Sequence, residues 1–333
     1  MKKLLASTCL LAGLAGGASL SHAAECGDVV LAVHNAQSAE VLTFVDKFIL
    51  ENGYGCNVET VPGDTVPTTT SMVEKSEPDV SSETWVDLLP EIVPRGIQEG
   101  KIVFGAPALP DGGIQGWWIP KYVADAHPEI KTVEDALAHP ELFPDQEDPS
   151  KGVVFNGAEG WGATVVTTQL FKAYNAADKG FTLMNPGSAA GLDGAIGKAY
   201  ERKEGFITYY WAPTALLGKY QLVMLKQNGS ADPVEWKRCI TNLACPDPKV
   251  ADWPVDKVMT VLTKKFADRT SPEVMAYFNK RGWSNDTVGK IMAWETENQG
   301  TGEDGAKRFL QQDESIWSQW VPADVAEKVK AAL

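Results

Sequence analysis

The stretch VVLAVHNAQSAEVLTFVDKFILENGYGCNVETV, Val29 to Val61, decides the fold. Val29 to Val33 is a short apolar run and reads as a strand. From Ser38 to Glu51 the residues Val41, Phe44, Val45, Phe48 and Ile49 recur at helical spacing, and Gly53 and Gly55 end that helix. Val58 to Val61 forms the next strand. A Thr-rich helix start follows at Thr68, and Pro78-Asp79-Val80 enters a third strand leading to Trp85. Strand, helix, strand, helix, strand is the mark of a doubly wound parallel sheet, so the fold class is α/β.

A second α/β unit begins after Pro110-Asp111-Gly112-Gly113. Gly116-Trp117-Trp118-Ile119-Pro120 reads as a strand, Val133 to Leu137 opens a helix, and Gly152 to Phe155 is a strand ending near Trp161. A helix from Thr164 to Tyr174 comes next. Gly187-Ser188-Ala189-Ala190 precedes a helix to Arg202, and Gly205 to Trp211 is another strand. From Val258 onward the pattern reads as largely helical, with Val258, Val261, Leu262 and Phe266 at helical spacing. Later helices hold Ile291, Trp294, Phe309 and Leu310. Such a chain, passing out to a second lobe and returning, describes a type II-like periplasmic binding protein. Each lobe is then a doubly wound sheet with flanking helices, and the ligand lies in the cleft between them. The expected division is 25–113 plus 224–333 for lobe 1 and 114–223 for lobe 2.

The N-terminus has Lys2 and Lys3, an apolar run from Leu4 to about Leu20, and Ser21-His22-Ala23-Ala24, the pattern of a cleaved secretory signal peptide over residues 1–24. The expected compartment is the periplasm, with no direct membrane insertion. The formal charge is −14, and −16 without Lys2 and Lys3. That balance argues against nucleic acid and anionic membrane as partners. Four cysteines remain beyond the signal, an even count that suggests disulfides in an oxidising compartment. Cys239 and Cys245 clip a short loop. Cys26 and Cys56 each precede an apolar run, and neighbouring parallel strands would bring them within bonding reach. No C-x-x-C occurs, so no metal site is expected.

Among eleven tryptophans, Trp85, Trp161 and Trp211 fall at the carboxyl ends of strands, where ligands bind in open α/β sheets. Converging rings form a receptor for a quaternary ammonium group, which carries a diffuse charge and donates no hydrogen bonds. Each ring contributes roughly 0.5–2 kcal/mol. Micromolar binding needs about 8 kcal/mol, so the ligand's other end must add the rest. In Gly160-Trp161-Gly162-Ala163-Thr164 the glycines leave backbone amides exposed where a helix opens, and free amides at a helix N-terminus favour a carboxylate. The spacing of ring and amides suits glycine betaine. Tyr210 is an auxiliary ring and Tyr209 a core residue, because neighbours on a strand face opposite ways. His34, Asn35 and Gln37 follow the first strand and border the cleft, while Glu83 and Asp87 read as solvated rim carboxylates. H-E-x-x-H, P-loop and G-x-S-x-G signatures are missing, and Gly300 to Gly305 reads as a loop between helices, so neither an enzyme nor a cofactor is expected.

The motifs together resemble the glycine betaine/choline-binding proteins of ABC importers. They are Gly53-Tyr54-Gly55-Cys56, Pro78 through Trp85, Gly116-Trp117-Trp118-Ile119-Pro120, Gly160-Trp161-Gly162, Gly187-Ser188-Ala189-Ala190 and Tyr210-Trp211-Ala212-Pro213. The resemblance implies a two-lobed, hinge-closing monomer that delivers a small quaternary ammonium ligand to a membrane permease. It implies an aromatic box at Trp85, Trp161 and Trp211, with carboxylate-binding amides at Gly162 and Ala163. The chain departs from some members in having Asn35-Ala36-Gln37 where they place a Trp, and Leu89 where they have a polar residue. Choline, carnitine, proline betaine and sulfonium analogues stay open as ligands.

Overall fold

The computed structural model describes residues 26–333. The predicted signal peptide lies outside them. Strands β1 (Asp28–His34), β2 (Asn57–Gly63) and β3 (Val80–Trp85) are parallel, with β1 in the middle. Helix α1 (Gln37–Tyr54) crosses between β1 and β2 and buries Val41, Leu42, Val45, Ile49 and Leu50. It stops at Gly55, whose φ of 72° is the left-handed cap that glycine adopts without strain. Helix α2 (Thr65–Lys75) leads on toward β3. Pairing Asp28 with Asn57 brings Cys26 and Cys56 together, and the disulfide is formed with Cα atoms 4.7 Å apart. The strand-helix alternation expected from the sequence is present here.

Helix α3 (Ile92–Gln98) enters β4, which runs unbroken from Ile102 to Pro120. The sequence reading began a second unit after Pro110 to Gly113 and placed a strand only from Gly116. The backbone instead passes these residues through register shifts between Phe104 and Gly113. Bulges are the usual way for prolines and glycines to stay within a strand. Thus β4 serves both lobes, pairing with β9 through Gly113 and with β7 from Ile114 onward.

The second lobe contains α4 (Lys121–Ala126), α5 (Val133–Leu137), β5 (Gly152–Phe155), α6 (Gly162–Ala173) and β6 (Phe181–Met184). It continues through α7 (Ala189–Glu201), β7 (Ile207–Ala212), α8 (Ala215–Lys219) and β8 (Leu222–Met224). A segment with the short helix α9 (Pro233–Glu235) and the disulfide Cys239–Cys245 then returns to the first lobe. Gln169 on α6 holds this clipped loop, donating to the carbonyls of Cys239, Asn242 and Cys245.

One expectation fails at the return. Val258, Val261 and Leu262 lie in β9 (Asp256–Thr263), not in a helix; only Phe266 is helical, in α10 (Lys264–Arg269). β9 is inserted antiparallel between β3 and β4, and from Thr260 to Thr263 it is buried on both faces. A strand buried on both faces shows no alternation, and its apolar run mimics helical spacing. The strand order is β2-β1-β3-β9-β4-β7-β5-β6, with β8 beside β4. Helices α11 (Pro272–Phe278), α12 (Asn285–Asn298), α13 (Gly302–Gln312), α14 (Glu314–Trp317) and α15 (Ala323–Ala332) complete the chain. Gly302 to Gly305 forms the first turn of α13, capped by Thr301 and Asp304, rather than a loop.

Candidate functional site

The cleft is built where strands of both lobes end. On β3, Glu83 and Trp85 are two residues apart and share a face. The Trp85 indole Nε1 donates to Glu83 Oε1 at 2.9 Å, and Ser38 Oγ donates to the same oxygen at 3.1 Å. The other oxygen, Oε2, is buried without a hydrogen-bond partner. Glu83 is 3% exposed, which corrects its reading as a solvated rim carboxylate. Burial pushes its carboxyl above the ordinary range, against the hydrogen bonds from Trp85 and Ser38 and the charge of Arg281. Asp87 is half-buried and its Oδ2 accepts from the Lys257 amide at 2.9 Å. Gly113 of β4 faces the Trp85 ring so closely that a Cβ there would lie 1.9 Å from it.

From the second lobe, Trp161 occupies the cap position of α6 and Trp211 lies near the end of β7. Their rings meet edge to face, with centroids 4.9 Å apart and planes at 89°. Tyr209 stands on the same face of β7 as Trp211 and stacks with it at 6.0 Å and 16°. Its hydroxyl donates to Gln115 Oε1 at 2.7 Å, and Gln115 Nε2 donates to Asp256 Oδ2 at 3.0 Å. Behind it Trp253, on the return segment, stacks at 5.6 Å.

These groups line a small cavity of about 40 Å³. His34, Ala36, Ala39, Thr65, Glu83, Trp85 and Leu88 line it from the first lobe, Gln115 from β4, and Trp161, Ala163, Tyr209 and Trp211 from the second. The three tryptophans singled out in the sequence therefore share one pocket, together with His34 and Ala163. Burial lowers the His34 pKa to about 4, a hydrogen bond to the Glu83 backbone opposing, so its imidazole is neutral near pH 7.

Other expected residues stand elsewhere. Tyr210 faces away from the box and donates to Asp193 Oδ1 at 2.7 Å; with Asn35 and Gln37 it lines a neighbouring cavity between the lobes. Tyr209, read from sequence as core, is the tyrosine in the box. Gly162 packs against Leu88, where a Cβ would lie 2.7 Å from the Leu88 Cβ, and does not reach the lining. The sequence reading missed Ala36, Ala39, Thr65, Leu88 and Gln115. Only Tyr209 had a usable signal, its two-residue spacing from Trp211.

Three helices also begin at the pocket. Ala36, Asp64 and Trp161 precede α1, α2 and α6, and none makes a side-chain cap to its helix. First-turn amides have no acceptor within their own helix, so such ends favour negative charge. Rings and helix ends thus offer opposite electrostatic complements at one pocket.

Residues 27–312 match the family described as the substrate binding domain of ABC-type glycine betaine transport system. The chain belongs to this family. It is 23% identical to the trimethylamine N-oxide-binding protein of Pelagibacter ubique (strain HTCC1062), over 96% of this chain and 99% of that protein. Two solved structures share the fold. An ABC-transporter choline-binding protein in complex with choline has a TM-score of 0.72 at 18% identity, covering 92% of this chain and 98% of its own. Lactococcal OpuAC, closed and complexed with glycine betaine, has a TM-score of 0.67 at 18% identity, covering 89% and 100%. As a member of the glycine betaine transport family, the chain is an ABC substrate-binding protein with a two-lobed α/β fold. No helix among the described residues is long and apolar enough to cross a membrane.

Proposed function

We propose that this chain is the periplasmic receptor of an ABC importer for a small methylated zwitterion, with glycine betaine as the principal ligand. The observation that carries the reading is the meeting of an aromatic box with the uncapped N-termini of α1 and α6 at one pocket. The faces of Trp85, Trp161, Trp211 and Tyr209 complement a trimethylammonium head. The amide of Ala163 and the end of α1 complement a carboxylate. A pure cation such as choline uses only the first set. The lobes divide as 25–113 plus 224–333 and 114–223, and closure over the ligand prepares a monomer for delivery to its permease.

A second reading is supported by Glu83. Glu83 lines the box, its Oε2 is buried without a partner, and burial shifts its carboxyl toward the protonated, donating form. That donor suits a compact amine oxide, whose oxygen lies directly on the methylated nitrogen, and the relative in Pelagibacter ubique is named for such a ligand. Calorimetric titration with glycine betaine, trimethylamine N-oxide, choline, carnitine and glycine tests both readings. Glycine betaine should bind most tightly and glycine undetectably. Preference for trimethylamine N-oxide would transfer the assignment to the second reading, and tightest binding of glycine would refute both.

A further inference from the structure

We infer that Asp64 is a positioning residue that latches the two lobes together and sets the Trp161 ring in the closed box. The inference rests on the box being the ligand site. Asp64 occupies the cap position of α2, where an Asp side chain ordinarily accepts from its own helix. Here it makes no such bond. The local turn is closed instead by Thr68, whose Oγ1 accepts from the Asp64 amide at 3.1 Å and whose amide donates to the Asp64 carbonyl at 2.9 Å. The released carboxylate Oδ1 accepts from the Asn35 amide at 3.3 Å and, across the cleft, from the Trp161 indole Nε1 at 3.2 Å.

A second bond runs beside it, from the Val66 amide to the Gly160 carbonyl at 3.2 Å. Gly160 has φ of 84°, and a Cβ on it would lie 3.0 Å from the Asp64 Cβ, so a glycine here permits the approach. Both bonds join the start of α2 to the turn before α6, and both require the lobes to be together. Contacts that favour closure without touching ligand raise the binding-competent fraction, and with it the apparent affinity.

The test is glycine betaine titration by calorimetry on wild type, Asp64→Ala and Asp64→Asn, with melting temperature and small-angle scattering of each ligand-free protein. Asp64→Ala should weaken binding roughly tenfold or more, the usual scale for a lost hydrogen bond to a charged group. Asp64→Asn keeps a side-chain oxygen and should recover most of that loss. Asp64→Ala also loses the bond from the Asn35 amide, so the ligand-free melting temperature should agree with wild type for Asp64→Asn, which keeps an acceptor there. Binding by Asp64→Ala within twofold of wild type would overturn the latch. So would an Asn variant no better than Ala. If wild type binds no methylated ammonium compound, the box reading fails separately and scattering judges the latch. Wild type should then be more compact than Asp64→Ala, and equal radii would overturn it.

Discussion

Tyr209 and Trp211 differ in what each loses on truncation. Trp211→Ala removes a wall that touches Trp161 and Tyr209 together, and glycine betaine affinity should fall roughly tenfold or more by calorimetry, since a ring is worth up to about 2 kcal/mol. Tyr209→Phe keeps the ring and loses only the bond to Gln115, so its affinity should stay within a few-fold of wild type. Away from the cleft, Glu295 on α12 is buried with both carboxylate oxygens unpartnered. Burial raises its pKa from 4.5 to about 8, with the charges of Glu40 and Asp304 adding to the rise. Between those values the folded protein keeps a proton that the unfolded chain has released. Stability from this group is therefore full below pH 4.5 and declines as pH rises toward about 8. Glu295→Gln should melt like wild type at the acid end and at a higher temperature above pH 8. At this scale the tryptophans were legible because large rings at strand ends stand out. Glu83 was not, because burial of a carboxylate depends on neighbours such as Ser38 that sequence spacing does not bring together.

At the scale of elements, Gly113 couples strand geometry to the site. A Cβ at 113 would overlap the Trp85 ring, so Gly113→Ala should push that ring from its place. Overpacking of this kind costs about 1–3 kcal/mol, and glycine betaine affinity should fall roughly tenfold, read by tryptophan fluorescence titration. Strands β1 to β3 and helix α1 were readable because apolar periodicity changes sharply at Gly53 and Pro78. β9 was not, since its run from Thr260 to Thr263 is buried on both faces and has no exposed side to mark its period. β4 was half readable. Pro107 and Pro110 are turn formers in local sequence, and only pairing with β9 carries them through as bulges. Tyr209 was misplaced for a simpler reason. The alternation that separated it from Tyr210 equally placed it with Trp211, and the strand's box-facing side was fixed by that tryptophan.

At the scale of the whole molecule, the two lobes share one strand and close on one pocket. The Cys26–Cys56 bond ties the first two strands across a sequence separation of 30 residues. Replacing both cysteines by serine should reduce stability by about 2–4 kcal/mol in denaturant unfolding while leaving the remote box able to bind. The two-lobed form was legible from the order of strand and helix signals, but the wall residues supplied by Ala36, Thr65, Leu88 and Gln115 were not. Such residues are apolar or polar in unremarkable local contexts, and they line one pocket only through the tertiary fold. The central claim is that an aromatic box selects the methylated head of a zwitterion. Calorimetry across glycine, its N-methyl and N,N-dimethyl derivatives and glycine betaine isolates that head, because the carboxylate is constant. Affinity should rise with each methyl and be highest for glycine betaine. Equal affinity across the series, or tightest binding of unmethylated glycine, would contradict the account.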